Sequence, residues 1–381
     1  MKIGINLLYL LPGVVGGTET YAAGLLHGLA EIDQRNEYVV FVNRESESWP
    51  LPGAANFTRV LCPVRAANRA CRYFFEQVRL PRLLAKYHID VVHSLGYVGP
   101  LAAPCPSVVT IPDLNYIAMK QTMPGRRRML LRFFSTQSAL RANHVITISR
   151  FSQGEICRFI KLDPGKITVT HLGAMRNADS DSSGNWDELT RRYRIRAPYV
   201  VAFWGGVVHK NIPRLIRAFA LVKDAFPHSL VLIGHIPSNV DLATESKEIR
   251  DRVAITGYVP EGHVLPLLRH ADLFVLPSLY EGFGLPVLEA QQAAVAVACS
   301  TAGSLPEVGG DGALYFDPTS VEHMADTIRR CLADAALRSD LILKGRENLA
   351  RFSWNKTARE TLSVYEEVFK QHRREAPYMR L

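Results

Sequence analysis

The chain has 381 residues, 48% of them hydrophobic and 21% charged, which suits a globular protein with more than one core. Its net charge of +9 would suit anionic lipid headgroups, a phosphorylated acceptor or nucleic acid, but no nucleic-acid module signature accompanies it. No apolar run is long enough to span a bilayer. The six cysteines (62, 71, 105, 157, 299 and 331) lack metal-ligand spacing, so reduced thiols in a cytoplasmic protein are expected.

Lys2–Leu8 reads as a first buried strand that starts beside Met1, without the basic n-region or cleavage site of a signal peptide. It runs into a glycine loop with Gly13, Gly16 and Gly17, then into an amphipathic helix carrying Tyr21, Leu25, Leu26 and Leu29. Such a loop can cradle phosphate or simply turn the chain. Its spacing is not G-x-G-x-x-G, which argues against a nicotinamide enzyme. Val39–Val42, Asp90–His93, Ser107–Ile111 and His144–Ile148 follow as short apolar strands with helical stretches between them, the alternation of a parallel, doubly wound sheet. Arg59, Arg65, Arg69, Arg72, Arg79, Arg82 and Lys86 face only Glu76 in their stretch. Met123 to Arg141 is the most basic helix, with Met129, Leu130, Phe133 and Phe134 as its apolar side, and could lie on an anionic membrane surface or present a solvated face. Asp113, in Thr110-Ile-Pro-Asp-Leu114 at a strand end, is placed either to cap the next turn or to meet a ligand.

Residues 174–197 are polar, Ser-rich and linker-like, and contain Asp179-Ser-Asp181. Two carboxylates so spaced can share a divalent cation, but no buried strand precedes them and no metal is expected there. A second α/β series begins at Tyr199–Trp204. Gly205, Gly206, His209 and Lys210 lead from it into a helix bearing Ile212, Leu215, Ile216, Phe219 and Val222, with Asn211 as its expected N-cap. Strands are expected at Leu230–Gly234, Val253–Gly257 and Leu273–Pro277. The last opens into Pro277-Ser-Leu-Tyr-Glu-Gly-Phe-Gly-Leu-Pro-Val-Leu-Glu289, a glycine loop that ends at a helix N-terminus starting near Pro286. Unpaired N–H groups there favour an anion. Glu281 and Glu289, the latter expected in the first helical turn, would repel a phosphate and suit hydroxyls instead.

Glu281 and Glu289 with Gly282, Phe283, Gly284 and Leu285 between them resemble the Glu-x7-Glu donor signature of family 4 of the retaining nucleotide-sugar glycosyltransferases. The likeness is densest over residues 199–318 and implies the GT-B fold, an α/β architecture of two doubly wound Rossmann-like domains facing a cleft. It implies an acceptor-side domain at 1–175, a linker at 176–197, a nucleotide-sugar domain at 198–353, and a helix at 354–381 returning to the first domain. The implied donor contacts are Gly16 and Gly17, Gly205, Lys210 on the diphosphate, Tyr258 along the nucleobase, the 282–285 loop, and Glu289 on the ribose. Lys210, Glu281 and Asp113 are the implied catalytic residues. Pro112 stands where the family often has His, so that histidine's role does not transfer. The activity implied is metal-independent hexosyl transfer, mannosyl first, from GDP-mannose or a UDP-sugar to a glycan or lipid-linked acceptor, on the inner face of the plasma membrane. A non-catalytic nucleotide-sugar-binding protein or a sugar-nucleotide epimerase of the same fold are the alternatives.

Overall fold

The computed structural model describes residues 1–119, 123–174, 186–234 and 246–375. The chain divides into two compact units: Met1–Gly173 together with the segment from Phe352, and Ala174–Arg351. The Asp179-Ser-Asp181 triplet lies outside the described residues.

The first unit holds seven strands: β1 (Lys2–Asn6), β2 (Glu37–Val42), β3 (Phe57–Leu61), β4 (Val91–Ser94), β5 (Ser107–Thr110), β6 (His144–Thr147) and β7 (Ile167–Val169). They lie in the order β3-β2-β1-β4-β5-β6-β7, and every pairing is parallel. The second unit holds β8 (Tyr199–Phe203), β9 (Ser229–Ile233), β10 (Val253–Ile255), β11 (Leu273–Leu276), β12 (Val297–Ser300) and β13 (Leu314–Phe316). Their order, β10-β9-β8-β11-β12-β13, is again all parallel.

The apolar runs have a direct cause in the packing. In the second unit Val200, Ala202, Leu273 and Val275 enter the core on one face of the sheet, while Tyr199, Val201, Phe274 and Leu276 enter the core on the other. A sheet covered on both faces leaves no place for a polar alternate residue. Four strands escaped the sequence reading: the edge strand β3, with Thr58 and Arg59 exposed, β7 and β13, of three residues each, and the buried β12.

The first unit is closed by the helix Trp354–Glu375, whose N-cap Ser353 accepts a hydrogen bond from the Lys356 amide at 3.2 Å. Trp354 sits against the helix Gly17–Ile32 at two glycines. A Cβ at Gly24 would lie 2.2 Å from the indole, and one at Gly28 would lie 2.6 Å from the Trp354 carbonyl. Farther along, the Tyr365 hydroxyl meets His93 Nδ1 at 2.6 Å, and His93 Nε2 meets Thr110 Oγ1 at 2.7 Å. Burial drives the His93 pKa down to about 3, so the imidazole is neutral and can donate at one nitrogen while accepting at the other.

The helix Gly125–Arg141 differs from a simple amphipathic reading. It buries Ser135, Ser138 and Ala139, whereas Met129 is 70% and Phe133 55% exposed, with Leu130 exposed beside them. The small residues face the core because that is where backbone approach is closest: Ser138 Oγ accepts from the Gly99 amide at 3.0 Å.

Candidate active site

In an open parallel sheet, strands whose connections leave in opposite directions open a crevice at their carboxyl ends. In the second unit those neighbours are β8 and β11. After β8 the chain passes Gly205, beside which a Cβ would meet nothing within 4 Å, and Gly206, whose φ of 72° requires glycine. A single turn, Val208–Lys210, then delivers Lys210. After β11 the chain delivers Ser278 and Glu281. A hydrogen bond from the Leu279 amide to the His209 carbonyl, 2.7 Å long, joins the two loops.

The side chains meet there. Lys210 Nζ lies 2.6 Å from Glu281 Oε1, and Ser278 Oγ donates to the same oxygen at 2.7 Å. The lysine and glutamate side chains are only 15% and 13% exposed. Burial works to raise the Glu281 pKa, but the Lys210 charge and the hydrogen bonds from Lys210 and Ser278 outweigh it and hold the carboxyl below its usual value. Burial keeps the neighbouring His209 neutral, with Lys210 adding to that effect and Glu281 opposing it.

Asn211 holds the expected N-cap position of the helix Ile212–Ala220, but at φ 57° it makes no side-chain cap bond. Its amide instead donates to the Pro277 carbonyl at 3.0 Å and the Pro318 carbonyl at 2.8 Å, so the side chain clamps the loop after β11. The carbonyls take the amide NH2, while Oδ1, the atom a cap would use, accepts from the Arg214 guanidinium at 2.9 Å.

The loop carrying Glu281 is braced from the segment after β12. Ser304 donates through Oγ to the Phe283 carbonyl at 2.7 Å, and its amide donates to the Glu281 carbonyl at 3.1 Å. Ser300 Oγ donates to the Ser278 carbonyl at 2.6 Å. Gly303 makes this contact possible: at φ 64°, a Cβ there would stand 2.3 Å from the Glu281 carbonyl oxygen. The sequence reading gave no role to Gly303 or Ser304, because a close approach of backbone to backbone across 22 residues leaves no local signal.

Gly284, at φ 102°, turns the loop into the helix Leu285–Gln292, with Phe283 buried behind it. The helix starts one residue before Pro286, which places Glu289 in the second turn and not the first. Burial pushes the Glu289 pKa up to about 7; the Lys210 charge opposes that shift and Glu261 adds to it. Tyr258, beyond β10, is 72% exposed, and the preceding Gly257 bridges to Gly234.

Lys210, Glu281 and Glu289 thus share one electrostatic neighbourhood in the second unit. Gly16, Gly17 and Asp113 belong to the first. Gly16, at φ 56°, starts the helix Gly17–Ile32, and a Cβ on either glycine would meet nothing within 4 Å. Asp113 Oδ1 accepts from the Tyr97 hydroxyl at 3.0 Å and from the Asn115 amide at 3.1 Å, the bonds of a turn brace. Among the described residues no three His, Cys, Asp or Glu side chains converge as a metal site would require.

Two family models match the chain: Glycosyltransferase Family 4 over residues 15–174 and Glycosyl transferases group 1 over residues 189–348. The chain belongs to the glycosyltransferases. This glycosyltransferase is 28% identical over 375 residues to the O-antigen chain mannosyltransferase B of Escherichia coli, covering 95% of each chain. It is 27% identical over 396 residues to the D-inositol 3-phosphate glycosyltransferase of Salinispora arenicola, covering 93% of this chain and 88% of that one. Among solved structures, sucrose-phosphate synthase from Thermosynechococcus elongatus superposes with a TM-score of 0.75 at 19% identity, over 97% of this chain and all of that one. The architecture is therefore the GT-B fold.

Proposed function

We propose that the enzyme moves a hexosyl unit, mannose in the first instance, from a nucleoside diphosphate sugar to a hydroxyl of a glycan or lipid-linked acceptor. GDP-mannose is the proposed donor, ahead of UDP-glucose and UDP-N-acetylglucosamine. The transfer retains the anomeric configuration and uses no metal. The observation that carries this reading is the Lys210–Glu281 pair at the β8–β11 switch point. An ammonium has three donors, and one is held by Glu281, which leaves two for diphosphate oxygens. Both bonds to Glu281 fall on Oε1, so Oε2 is the oxygen for a hydroxyl of the transferred hexose. Glu289 takes the ribose hydroxyls. The sugar leaves and is attacked on one face, the departing phosphate accepts the acceptor's proton, and the protein supplies position and charge. The name of the Escherichia coli relative supports mannose.

The first unit is proposed to receive the acceptor and to touch anionic membrane. Support comes from the exposed Met129, Leu130 and Phe133 on a helix that also exposes Arg126 and Arg132. Among the described residues no helix is long and apolar enough to cross a membrane.

The test incubates the protein with each donor, extracted lipid-linked glycans and EDTA, and reads the product's anomeric configuration by NMR. Transfer from GDP-mannose with retention, undiminished by EDTA, is expected. Donor hydrolysis or isomerisation that needs no acceptor would make the protein an epimerase. Tight donor binding with no turnover would make it a sensor.

A further inference from the structure

The seven-stranded sheet has its own switch point, between β1 and β4, and a cavity of about 310 Å³ lies there within the first unit. Tyr9, from the loop after β1, and Gly96, after β4, form part of its wall. They pack so closely that a Cβ at Gly96 would stand 2.3 Å from the tyrosine ring. Arg69 and Arg72, on the helix Arg69–Phe74, and Arg127, on the helix Gly125–Arg141, supply three guanidinium groups. None of the described residues that line the cavity is Asp or Glu.

The charges are poorly compensated. Arg72 is 8% exposed, and its buried Nε has no hydrogen-bond partner. The carboxylate facing it, Glu76 Oε2, is 3.7 Å away, beyond hydrogen-bond reach, and lacks a partner as well. Burial, only partly opposed by Arg72 and Asn6, raises the Glu76 pKa to about 7, so the carboxyl is not fully ionised at neutral pH. Arg127 is lowered from its usual value, first by burial and then by the charges of Arg69 and Arg72. Like charges gathered with so little counter-charge cost free energy unless an anion completes the set.

We propose that this cavity holds a phosphate or diphosphate group of the acceptor, with Arg69, Arg72 and Arg127 as its ligands. This rests on the reading of the first unit as the acceptor side and names the acceptor's chemistry. A phosphate fits better than a carboxylate. It carries up to two charges and three strong acceptor oxygens, enough to engage three guanidinium forks at once. The volume is at the low end of small-molecule sites and suits a headgroup, not a polymer.

Calorimetry with inorganic pyrophosphate tests it, using the full chain in phosphate-free buffer. Arg69 is half-buried and Arg127 exposed, so Arg69→Gln with Arg127→Gln leaves the packed Arg72 in place. The double variant should weaken pyrophosphate binding at least about tenfold, while GDP binding matches wild type. Lys210→Ala should do the reverse. Pyrophosphate binding that survives the double variant and vanishes in Lys210→Ala would overturn the proposal, as would no binding at all to wild type. Failure of the donor reading is separate: it would appear as absent GDP binding, whatever pyrophosphate does. Displacement of pyrophosphate by a soluble hexose 1-phosphate would mark a soluble acceptor, and displacement only by a short-chain isoprenyl diphosphate a lipid-linked one. Displacement by neither would overturn the acceptor assignment.

Discussion

At the switch point of the six-stranded sheet a lysine and a glutamate meet at 2.6 Å, while at that of the seven-stranded sheet three arginines line a cavity with no carboxylate among the described residues of its wall. The two sheets share one topology, so the crevice is in the same place in each; what differs is whether the protein neutralises its own cation. A buried pair contributes little net stability, because desolvation offsets attraction, yet losing one partner is costly. The Lys210–Glu281 pair therefore fixes side chains in position before substrate arrives. The arginine cluster leaves part of that task to a ligand.

The largest effect expected is from Lys210→Ala. Turnover should fall about 100- to 1,000-fold through loss of charge stabilisation, and stability by about 3 kcal/mol or more because Glu281 is left buried alone. Adding Glu281→Gln should restore most of the stability and none of the turnover. Denaturant melts and steady-state rates on the two variants separate these roles. Equal stability of both would mean the pair is not a buried one.

Gly303→Ala strikes the same region without touching a charge. Its Cβ would meet the Glu281 carbonyl, so the loop must shift, and a cost of about 1–3 kcal/mol is expected. Donor affinity should fall while pyrophosphate binding in the first unit is retained. If both fall together, the switch points are not independent.

Glu289 gives a pH signature. Its folded pKa of about 7 lies above the unfolded value of about 4.3, so the native state binds more protons between them and this residue's contribution to stability declines as pH rises through that window. Glu289→Gln should therefore raise the melting temperature relative to wild type more at pH 8 than at pH 5. On the proposed ribose contact the ionised carboxylate is the stronger acceptor, so wild-type donor affinity should climb through pH 7 and the variant's should stay flat. A difference in melting temperature that does not change with pH would remove the titration.

The smallest effect concerns the exposed apolar side of the helix Gly125–Arg141. Phe133→Ser should reduce co-sedimentation with anionic vesicles by a few-fold at low salt, and high salt should release wild type as well. Binding that ignores both changes would leave Arg126 and Arg132 on an ordinary solvated face.

How much of this could be read beforehand follows from which signals are local. Strands such as Leu273–Leu276 announce themselves because both faces of the sheet are buried. The edge strand Phe57–Leu61, with its exposed Arg59, carries no such run. Lys210 and Glu281 were each visible as a cation and a carboxylate at strand ends, but they are 71 residues apart, and only the strand order brings them together. Asn211 sits where a cap belongs, and its clamp on two distant carbonyls has no local trace. The basic stretches containing Arg69, Arg72 and Arg127 were plain in composition, whereas their convergence depends on which faces of two helices meet. Glu289 missed its turn by one residue, the ordinary uncertainty of a helix start.

The tryptophan that seats itself on Gly24 and Gly28 is separated from them in the chain by the whole second unit, although it completes the first. The unit Ala174–Arg351 contains its whole sheet and needs no part of that helix to close it. The N-terminal unit must wait, its glycine-lined socket open to water, until residue 354 arrives. Maturation should therefore run backwards along the chain, with the second unit acquiring protease resistance first during synthesis. A nascent chain stalled with residue 351 outside the ribosomal tunnel and the helix Trp354–Glu375 still inside it would then hold one folded body with an unfinished one ahead of it, and limited proteolysis of such stalled chains would show the order directly.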